Sequence, residues 1–199
     1  MTKFLFDLDG TVTKLETLPL ISKHFGVQEE MDNLTRETIQ GNIPFIESFI
    51  RRVYILGKLP IDEVSDLLET VPLYEKLAKF IRENKENCAV ATGNLGCWIN
   101  KLAQKVGCCC YCSDADIENN KVKKLTKIFR KENLVERYKS EGEKVVFIGD
   151  GNNDVEAMRL ADISIASGLT HMPAKSVLSV ADYVVFDEEG LCRQLNQLL

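Results

Sequence analysis

Two short segments of the sequence each carry a pair of carboxylates that could act together on one substrate. Asp7 and Asp9 stand two residues apart in DLDGT, and Asp150 and Asp154 belong to GDGNND; an apolar run precedes each segment. Asp7 and Asp9 can point into one crevice because of this spacing, and the following glycine permits a sharp turn. Four carboxylates in one crevice repel one another unless a cation lies among them, and Mg²⁺ prefers oxygen ligands. The pattern therefore indicates a magnesium site, whereas a pair of solvated turns explains it poorly.

A calcium-binding loop is another use of closely spaced carboxylates. Such a loop requires glycine at its sixth position and glutamate at its twelfth. Counting from Asp7 places Val12 and Leu18 there, and counting from Asp150 places a valine and an alanine there. Neither segment is therefore a calcium loop of this kind.

A third polar segment, Thr92-Gly93-Asn94, follows an apolar run and precedes a predicted helix. Its hydroxyl group and the backbone N–H groups at a helix N-terminus could bind an anion such as phosphate. The same residues could instead only cap the helix. The presence of the two carboxylate segments in the same chain favours the phosphate-binding interpretation of this segment.

Alternating apolar runs and helical patterns predict a parallel α/β sheet. Strands are expected at residues 4–6, 88–91, 109–113, 145–148, 162–166 and 183–186, and helices at residues 95–106, 121–131 and 154–160. Open sheets of this class bind ligands at the carboxyl ends of their strands. Asp7, Thr92 and Asp150 are placed there, so function is expected at that edge.

The first two strands are separated by about eighty residues, far more than one crossover needs. These residues show the periodicity of several amphipathic helices, which we predict at residues 17–25, 28–40, 44–56 and 60–69, with a return helix at 73–83. We therefore expect an inserted helical cap at residues 14–72 and a sheet core made of residues 1–13 and 73–199.

Composition and charge limit the class of protein and its partners. Apolar residues make up 45% of the chain and charged residues 28%, values typical of a globular protein, which excludes a disordered or collagen-like chain. The formal charge of −5 gives no positive surface for nucleic acid, so a small-molecule partner is expected. The first apolar run is too short for a signal peptide and no run approaches a membrane span, so we expect a cytoplasmic protein without membrane contact.

Seven cysteines are present, and four of them crowd into CCCYC at residues 108–112. Adjacent cysteines do not form an ordinary disulfide framework, and His24 and His171, the only histidines, are too far along the chain to complete a zinc motif with them. We expect reduced thiols on a buried strand.

Together, DLDGT, the threonine of ATGN, a lysine before the last motif and GDGNND resemble, in this order, the haloacid dehalogenase-like hydrolase superfamily, most closely its phosphoserine phosphatase branch. The resemblance covers nearly the whole chain. It implies a Rossmann-like three-layer core with a helical cap, and hydrolysis of a phosphomonoester of a small metabolite by a monomer or homodimer.

The resemblance also implies a role for each matching residue. Asp7 would attack phosphorus to form an aspartyl-phosphate, and Asp9 would protonate the leaving alkoxide and then activate water. Mg²⁺ would be held by Asp7, the backbone carbonyl group of Asp9 and Asp150, with Asp154 binding or supporting it. Thr92 would act in catalysis, and Gly93, Asn94 and Asn153 would bind the substrate.

For the family's lysine, the best match is Lys121, because it opens the helix predicted at residues 121–131. There its ammonium group would neutralise the charge of Asp7 and of the phosphate. Other lysines share the region, at positions 123, 124, 127 and 131, and a solvated helix face is the alternative use of each.

Within the predicted cap, Glu16 and Arg52 match the positions at which the phosphoserine phosphatase branch binds the amino and carboxylate groups of its substrate. A local argument also selects Arg52, because Arg51 has Glu47 four residues earlier as a partner and Arg52 has Ser48 there. A surface arginine beside the apolar stripe of the helix is the alternative.

Two departures from that branch bear on the substrate. Asn94 stands where relatives have a second glycine, and the stretch in which relatives form a β-hairpin is expected to be short here, at residues 112–120. Two alternatives therefore stay open beside phosphoserine hydrolysis. One is a phosphatase or phosphotransferase for another small phosphorylated metabolite. The other is a non-catalytic phospholigand-binding module, which the presence of Asp9 disfavours.

Overall fold

The computed structural model describes residues 1–39 and 42–199. Within them the strands are β1 (Thr2–Phe6), β2 (Cys88–Leu95), β3 (Cys109–Glu118), β4 (Lys121–Lys127), β5 (Lys144–Gly149), β6 (Ile163–Ser167) and β7 (Tyr183–Val185). They form one sheet in the order β4-β3-β2-β1-β5-β6-β7, parallel except for β4. The strands predicted from the sequence are confirmed, although β2 and β3 extend further than expected.

The described residues also form ten helices. They are α1 (Thr17–His24), α2 (Gln28–Ile39), α3 (Phe45–Leu56), α4 (Ile61–Glu69), α5 (Glu75–Glu83), α6 (Gly96–Val106), α7 (Lys131–Ser140), α8 (Val155–Leu160), α9 (Lys175–Leu178) and α10 (Glu188–Leu198). A 3₁₀ turn, Asn152–Asp154, precedes α8. The helices predicted between the first two strands are confirmed within about two residues at each end, except that Gln40 lies outside the described residues.

Side chains alternate between the two faces of the central strands, so the sheet is buried on both sides. Phe4, Phe6 and Ile148 pack on one face against α5, α6 and α10, whereas Leu5 and Phe147 pack on the other face against α7 and α8. The result is the three-layer, Rossmann-like arrangement expected from the sequence. No helix among residues 1–39 and 42–199 has both the length and the apolar composition that crossing a membrane would need.

The helix predicted at residues 121–131 is wrong. Its first seven residues form β4, which pairs antiparallel with β3, and α7 begins only at Lys131. Asn119 and Asn120 make the turn, with φ of 51° and 60°. Asparagine tolerates this left-handed conformation better than most residues, and two such residues favour a tight hairpin. The hairpin that the sequence appeared to lack is therefore present.

All seven cysteines are free thiols. Cys109, Cys110 and Cys112 lie on β3, as the expectation of a strand required. The expected burial is wrong, because β3 lies near the edge of the sheet: Cys109 is exposed, and Cys108, Cys110 and Cys112 are only partly buried.

The inserted helices contact the sheet layer as well as one another. Helix α4 packs against α6, where Lys101 forms ion pairs with Asp66 and Glu69. The backbone N–H of Ile61 donates to the carbonyl oxygen of Asn120 at 2.9 Å, which joins the start of α4 to the hairpin turn. These contacts attach the insertion to α6 and to the hairpin formed by β3 and β4.

Candidate active site

Three parallel strands, β1, β2 and β5, end at one edge of the sheet, and the predicted catalytic residues lie there. The backbone N–H of Asp7 donates to the carbonyl oxygen of Ile148 in β5 at 2.8 Å. A cavity of about 440 Å³ opens at this edge. Its lining includes nine residues predicted from the sequence, namely Asp7, Asp9, Glu16, Arg52, Thr92, Gly93, Asn94, Asp150 and Asn153. Carboxylates from two strand ends and polar side chains from the insertion thus face one volume, as sheets of this class favour.

A buried lysine lies between two of the predicted metal-binding carboxylates. Lys131 places Nζ 2.5 Å from Asp7 Oδ1 and 2.6 Å from Asp154 Oδ1, and its side chain is only 3% exposed. Burial alone would lower the pKa of Lys131, but the charges of Asp154 and Asp7 outweigh burial and raise the pKa above its usual value. Lys131 therefore carries a positive charge at neutral pH.

The prediction that Lys121 holds this position is wrong. Lys121 begins β4, lies opposite Glu118 in the hairpin and is exposed. The error follows from the misassigned helix, since the helix in this region begins ten residues later, at Lys131. The rule that selected Lys121, a lysine at the start of a helix, selects Lys131 once the hairpin is known.

Asp154 is fully buried, and both of its carboxylate oxygens have partners. Oδ1 accepts from Lys131, while Oδ2 accepts from the backbone N–H groups of Asp150 at 3.0 Å and Gly151 at 2.9 Å. Position 149 must be glycine, because a Cβ atom there would lie 2.5 Å from Asp154 Cγ. Asp154 thus fixes the turn that presents Asp150 to the cavity.

Three carboxylates could hold a metal ion beside this lysine. Asp7, Asp150 and Asp154 each offer an oxygen atom, and these atoms all lie within 4.8 Å of one another. Burial first, and then the charge of Asp154, raises the pKa of Asp7 well above its usual value and that of Asp150 to about 7. Lys131 supplies one positive charge against three carboxylates, so a divalent cation would balance the group. Oxygen donors of this kind fit the predicted Mg²⁺.

Asp9 lies beside Asp7 but has neutral partners. Its Oδ1 accepts from the backbone N–H of Thr17, the first residue of α1, at 2.9 Å, and its carboxylate is also hydrogen-bonded to Asn94. Burial raises the pKa of Asp9, although the hydrogen bonds from Thr17 oppose the shift. A carboxyl group with a raised pKa holds its proton more firmly than a solvated one, which suits the role expected of Asp9 as a proton donor.

The segment Thr92-Gly93-Asn94 differs from its prediction in one respect. It belongs to the end of β2, and α6 begins at Gly96 with Leu95 at its N-cap position, so these residues neither cap the helix nor form its N-terminus. Thr92 and Gly93 still line the cavity. The Asn94 side chain donates from Nδ2 to Thr17 Oγ1 at 2.7 Å. This side chain, which a glycine would lack, therefore connects the end of β2 to α1.

Glu16 and Arg52 both line the cavity from the inserted helices. Arg52 donates from Nη2 to Thr35 Oγ1 at 2.9 Å, and its buried Nε has no hydrogen-bond partner among the described residues. Arg51, by contrast, pairs with Glu47 at 2.5 Å, as its spacing predicted. The structure therefore leaves Arg52 with capacity to bind an acceptor in the cavity.

Some residues of the site were missed in the sequence. Thr11, at the end of DLDGT, is fully buried and donates from Oγ1 to Asp150 Oδ1 at 2.8 Å. Thr17 contacts Asp9 and Asn94. His171 lies in the loop after β6 and also lines the cavity. Thr11 could have been found from the sequence because it belongs to the DLDGT motif. For His171 the sequence offered only the fact that it is one of two histidines in the chain.

Comparison with known proteins adds independent findings. A family model described as haloacid dehalogenase-like hydrolase matches residues 2–162. A phosphoserine phosphatase of Methanocaldococcus jannaschii is 30% identical over 175 residues, which cover 81% of this chain and 83% of the relative. A phosphoserine phosphatase of Wolinella succinogenes is 26% identical and covers 98% of both chains. A longer one, from Archaeoglobus fulgidus, is 29% identical, and this chain covers 54% of it.

Solved structures of phosphoserine phosphatases are similar to this chain in fold. A substrate-bound phosphoserine phosphatase complex superposes with a TM-score of 0.81 at 25% identity and covers 100% of this chain and 99% of that one. A phospho-aspartyl intermediate analogue of a phosphoserine phosphatase gives a TM-score of 0.78 at 24% identity, covering 98% and 99%. The second of these likenesses shows the fold alone.

Proposed function

Because this chain belongs to the haloacid dehalogenase-like hydrolase family and is a phosphoric monoester hydrolase, we propose that its substrate is O-phosphoserine, which it converts to serine and phosphate. The observation that carries the choice of substrate is the content of the cavity. Opposite the carboxylates at the strand ends, the insertion contributes Glu16 and Arg52 to the cavity lining, and this acidic and this basic side chain complement the ammonium and carboxylate groups of an amino acid. The similar proteins named phosphoserine phosphatase support the same choice.

In the proposed reaction, a carboxylate oxygen of Asp7 attacks phosphorus, and the bond from phosphorus to the serine oxygen breaks. Asp9 donates its proton to that oxygen, so serine leaves as the alcohol. Asp9, now ionised, accepts a proton from water as the water attacks the aspartyl-phosphate, and phosphate and free Asp7 result. The raised pKa of Asp9 supports its role as the acid in the first step.

The nucleophile must be ionised although its surroundings oppose ionisation. Burial is the largest cause that raises the pKa of Asp7, and Lys131 acts against it at 2.5 Å. Lys131 thus favours the ionised, reactive form of Asp7 against the effect of burial, and it lowers the repulsion between Asp7 and an incoming phosphate. Thr92, Gly93 and Asn153 line the same cavity and are proposed to bind phosphate oxygens.

Asp7 and Asp150 are proposed to hold Mg²⁺, with the backbone carbonyl group of Asp9 as the family resemblance implies and with Asp154 in support. When bound, Mg²⁺ would supply positive charge that stabilises the phosphoryl oxygens in the transition state. Thr11 fixes one Asp150 oxygen and Asp154 fixes the backbone of Asp150, so the protein holds this carboxylate in place.

The remaining parts of the proposal concern organisation. Residues 14–72 are proposed to act as the cap over a core of residues 1–13 and 73–199, which brings Glu16 and Arg52 over the catalytic carboxylates. The product would place the enzyme in serine formation in the cytoplasm, as a monomer or homodimer. The reason to expect a different phosphorylated metabolite has weakened, because the hairpin is present and the Asn94 side chain bonds to Thr17.

The test is Mg²⁺-dependent phosphate release from O-phospho-L-serine beside phosphothreonine, phosphohomoserine, sugar phosphates and nucleotides, with Asp7→Asn as the blank. We expect a clear preference for phosphoserine that Asp7→Asn abolishes. Arg52→Ala should raise KM for phosphoserine by about tenfold or more, the scale of a hydrogen bond to a charged group, whereas the matched variant Arg51→Ala should not. Hydrolysis of other esters without phosphoserine would contradict the proposed substrate.

A further inference from the structure

A histidine from outside the inserted helices contacts the acidic side chain of the proposed substrate site. His171 Nε2 lies 2.9 Å from Glu16 Oε1 and 3.2 Å from Asp150 Oδ2. Its other ring nitrogen, Nδ1, lies 3.1 Å from the carbonyl oxygen of Met172, so both ends of the imidazole ring have a partner. The ring is therefore held at Glu16 by more than one contact.

The three side chains converge above a glycine that leaves room for them. A Cβ atom at Gly10 would lie 2.6 Å from Glu16 Oε1, 3.1 Å from His171 Nε2 and 3.2 Å from Asp150 Oδ2, and Gly10 has φ of +69°. The Nε2 nitrogen thus lies between Glu16 Oε1 and Asp150 Oδ2. A substrate ammonium group that binds Glu16 on the side of Asp150 would meet the same oxygen, Oε1.

The histidine can leave this position without disturbing the core. Its side chain is 44% exposed and that of Glu16 is 37% exposed. The residue lies in the loop between β6 and α9, outside both hydrophobic clusters. Displacement of His171 from Glu16 therefore requires only the loss of its local hydrogen bonds.

We propose that His171 competes with the substrate's ammonium group for Glu16, and so sets how strongly the site favours phosphomonoesters with an amino group over those without one. The inference rests on the proposed function, in which Glu16 receives that ammonium group. His171 acts through Glu16 and does not touch the reacting phosphoryl group, so it is a specificity-determining rather than a catalytic residue.

The experiment compares two substrates that differ at one group. O-phospho-L-serine carries an ammonium group where 3-phospho-L-glycerate carries a hydroxyl group, and both keep the carboxylate and the phosphate ester. Values of kcat and KM are measured for both with the wild-type protein, His171→Ala and His171→Gln. His24→Ala is the control, since His24 is the other histidine and is exposed on α1, away from the cavity lining.

His171→Ala should lower KM for phosphoserine by about tenfold, the scale of one hydrogen bond to a charged group, and leave kcat nearly unchanged. KM for phosphoglycerate should not fall, so the ratio of the two kcat/KM values should rise by about the same factor. His171→Gln keeps an N–H donor for Glu16 and should stay closer to wild type, and His24→Ala should leave the ratio unchanged.

Failure of the inference and failure of the proposed function give different results. If wild type hydrolyses phosphoserine but His171→Ala leaves the ratio unchanged, or weakens both substrates alike, His171 does not compete for Glu16. If wild type hydrolyses phosphoglycerate and not phosphoserine, the proposed substrate is wrong. In that case a gain of phosphoserine hydrolysis by His171→Ala supports the competition, and no gain overturns it.

Discussion

At the scale of single residues, the site depends on one buried positive charge. Lys131 is the side chain among the described residues that forms ion pairs with Asp7 and with Asp154, and all three are buried. A buried carboxylate is stable as an anion only if a nearby group compensates its charge. The position of Lys131 therefore matters for both the folded state and the nucleophile.

Replacement of this lysine tests both roles. Lys131→Met removes the charge and keeps much of the apolar side chain, so we expect kcat to fall by at least about 10²-fold. The free energy of unfolding should fall by about 3–5 kcal/mol, because Asp7 and Asp154 would remain buried without a compensating positive charge. Phosphate release and thermal denaturation measure the two effects.

The matched control is Lys121→Met, at the lysine that the sequence favoured. Lys121 is exposed at the start of β4, so its replacement should change the free energy of unfolding by no more than about 0.5 kcal/mol and leave activity intact. Loss of activity in this control to the level of Lys131→Met would return the catalytic role to Lys121.

The second prediction at this scale concerns pH. Burial, followed by the charge of Asp154, raises the pKa of Asp150 to about 7, whereas the unfolded chain keeps the usual value near 3.8. Between these values the unfolded state has lost the proton that the folded state retains, so folding stability contributed by Asp150 is present at low pH and is lost as pH rises toward 7.

In metal-free protein, the stability of wild type relative to Asp150→Asn should therefore decline between about pH 4 and pH 7, by a few kcal/mol in total. The difference between the two proteins is the informative quantity, because other groups titrate in both. Urea unfolding in EDTA across this pH range measures it. A difference that stays constant with pH would mean that Asp150 titrates alike in the folded and unfolded chains.

At the scale of elements, the sequence was informative where a local pattern coincides with the structure. The central strands were predictable because short apolar runs buried on both sides have few alternatives, and the carboxylates at their ends followed directly. The inserted helices were predictable because each has its own amphipathic period and a Gly or Pro boundary.

The errors arose where the spacing of apolar residues was compatible with both a helix and a strand. Val122, Leu125 and Ile128 recur every three residues, which is compatible with a helix, but the two asparagines before them turn the chain back into β4. The choice between the two is made by pairing with β3, which no local pattern shows. That one error also placed the predicted catalytic lysine ten residues before Lys131, the lysine that contacts Asp7, and concealed the hairpin.

Contacts between distant segments were not predictable for the same reason. His171 reaches Glu16 and Asp150 from a loop, and loops carry no periodicity from which the direction of a side chain could be read. Arg52 was predictable in part, since its neighbour Arg51 has a partner at helical spacing and Arg52 does not.

At the scale of the whole molecule, the inserted helices and the sheet share one hydrophobic core. Val53 of α3 and Leu68 of α4 belong to the same buried cluster as Phe4 and Phe6 of β1. Trp98, the only tryptophan, is 1% exposed on α6, the helix against which α4 packs. An insertion that shares its core with the sheet should not unfold separately, because separation would expose both sides of the shared cluster.

We therefore expect a single unfolding transition in metal-free protein. The fluorescence of Trp98 reports the environment of α6, and far-UV circular dichroism reports all the helices, so the two signals should change at the same urea concentration with the same slope. If the circular dichroism signal instead fell in two steps, with the fluorescence following only one of them, the insertion would be an independent unit. Glu16 and Arg52 would then be carried by a part of the molecule that can unfold while Asp7 and Lys131 remain in place.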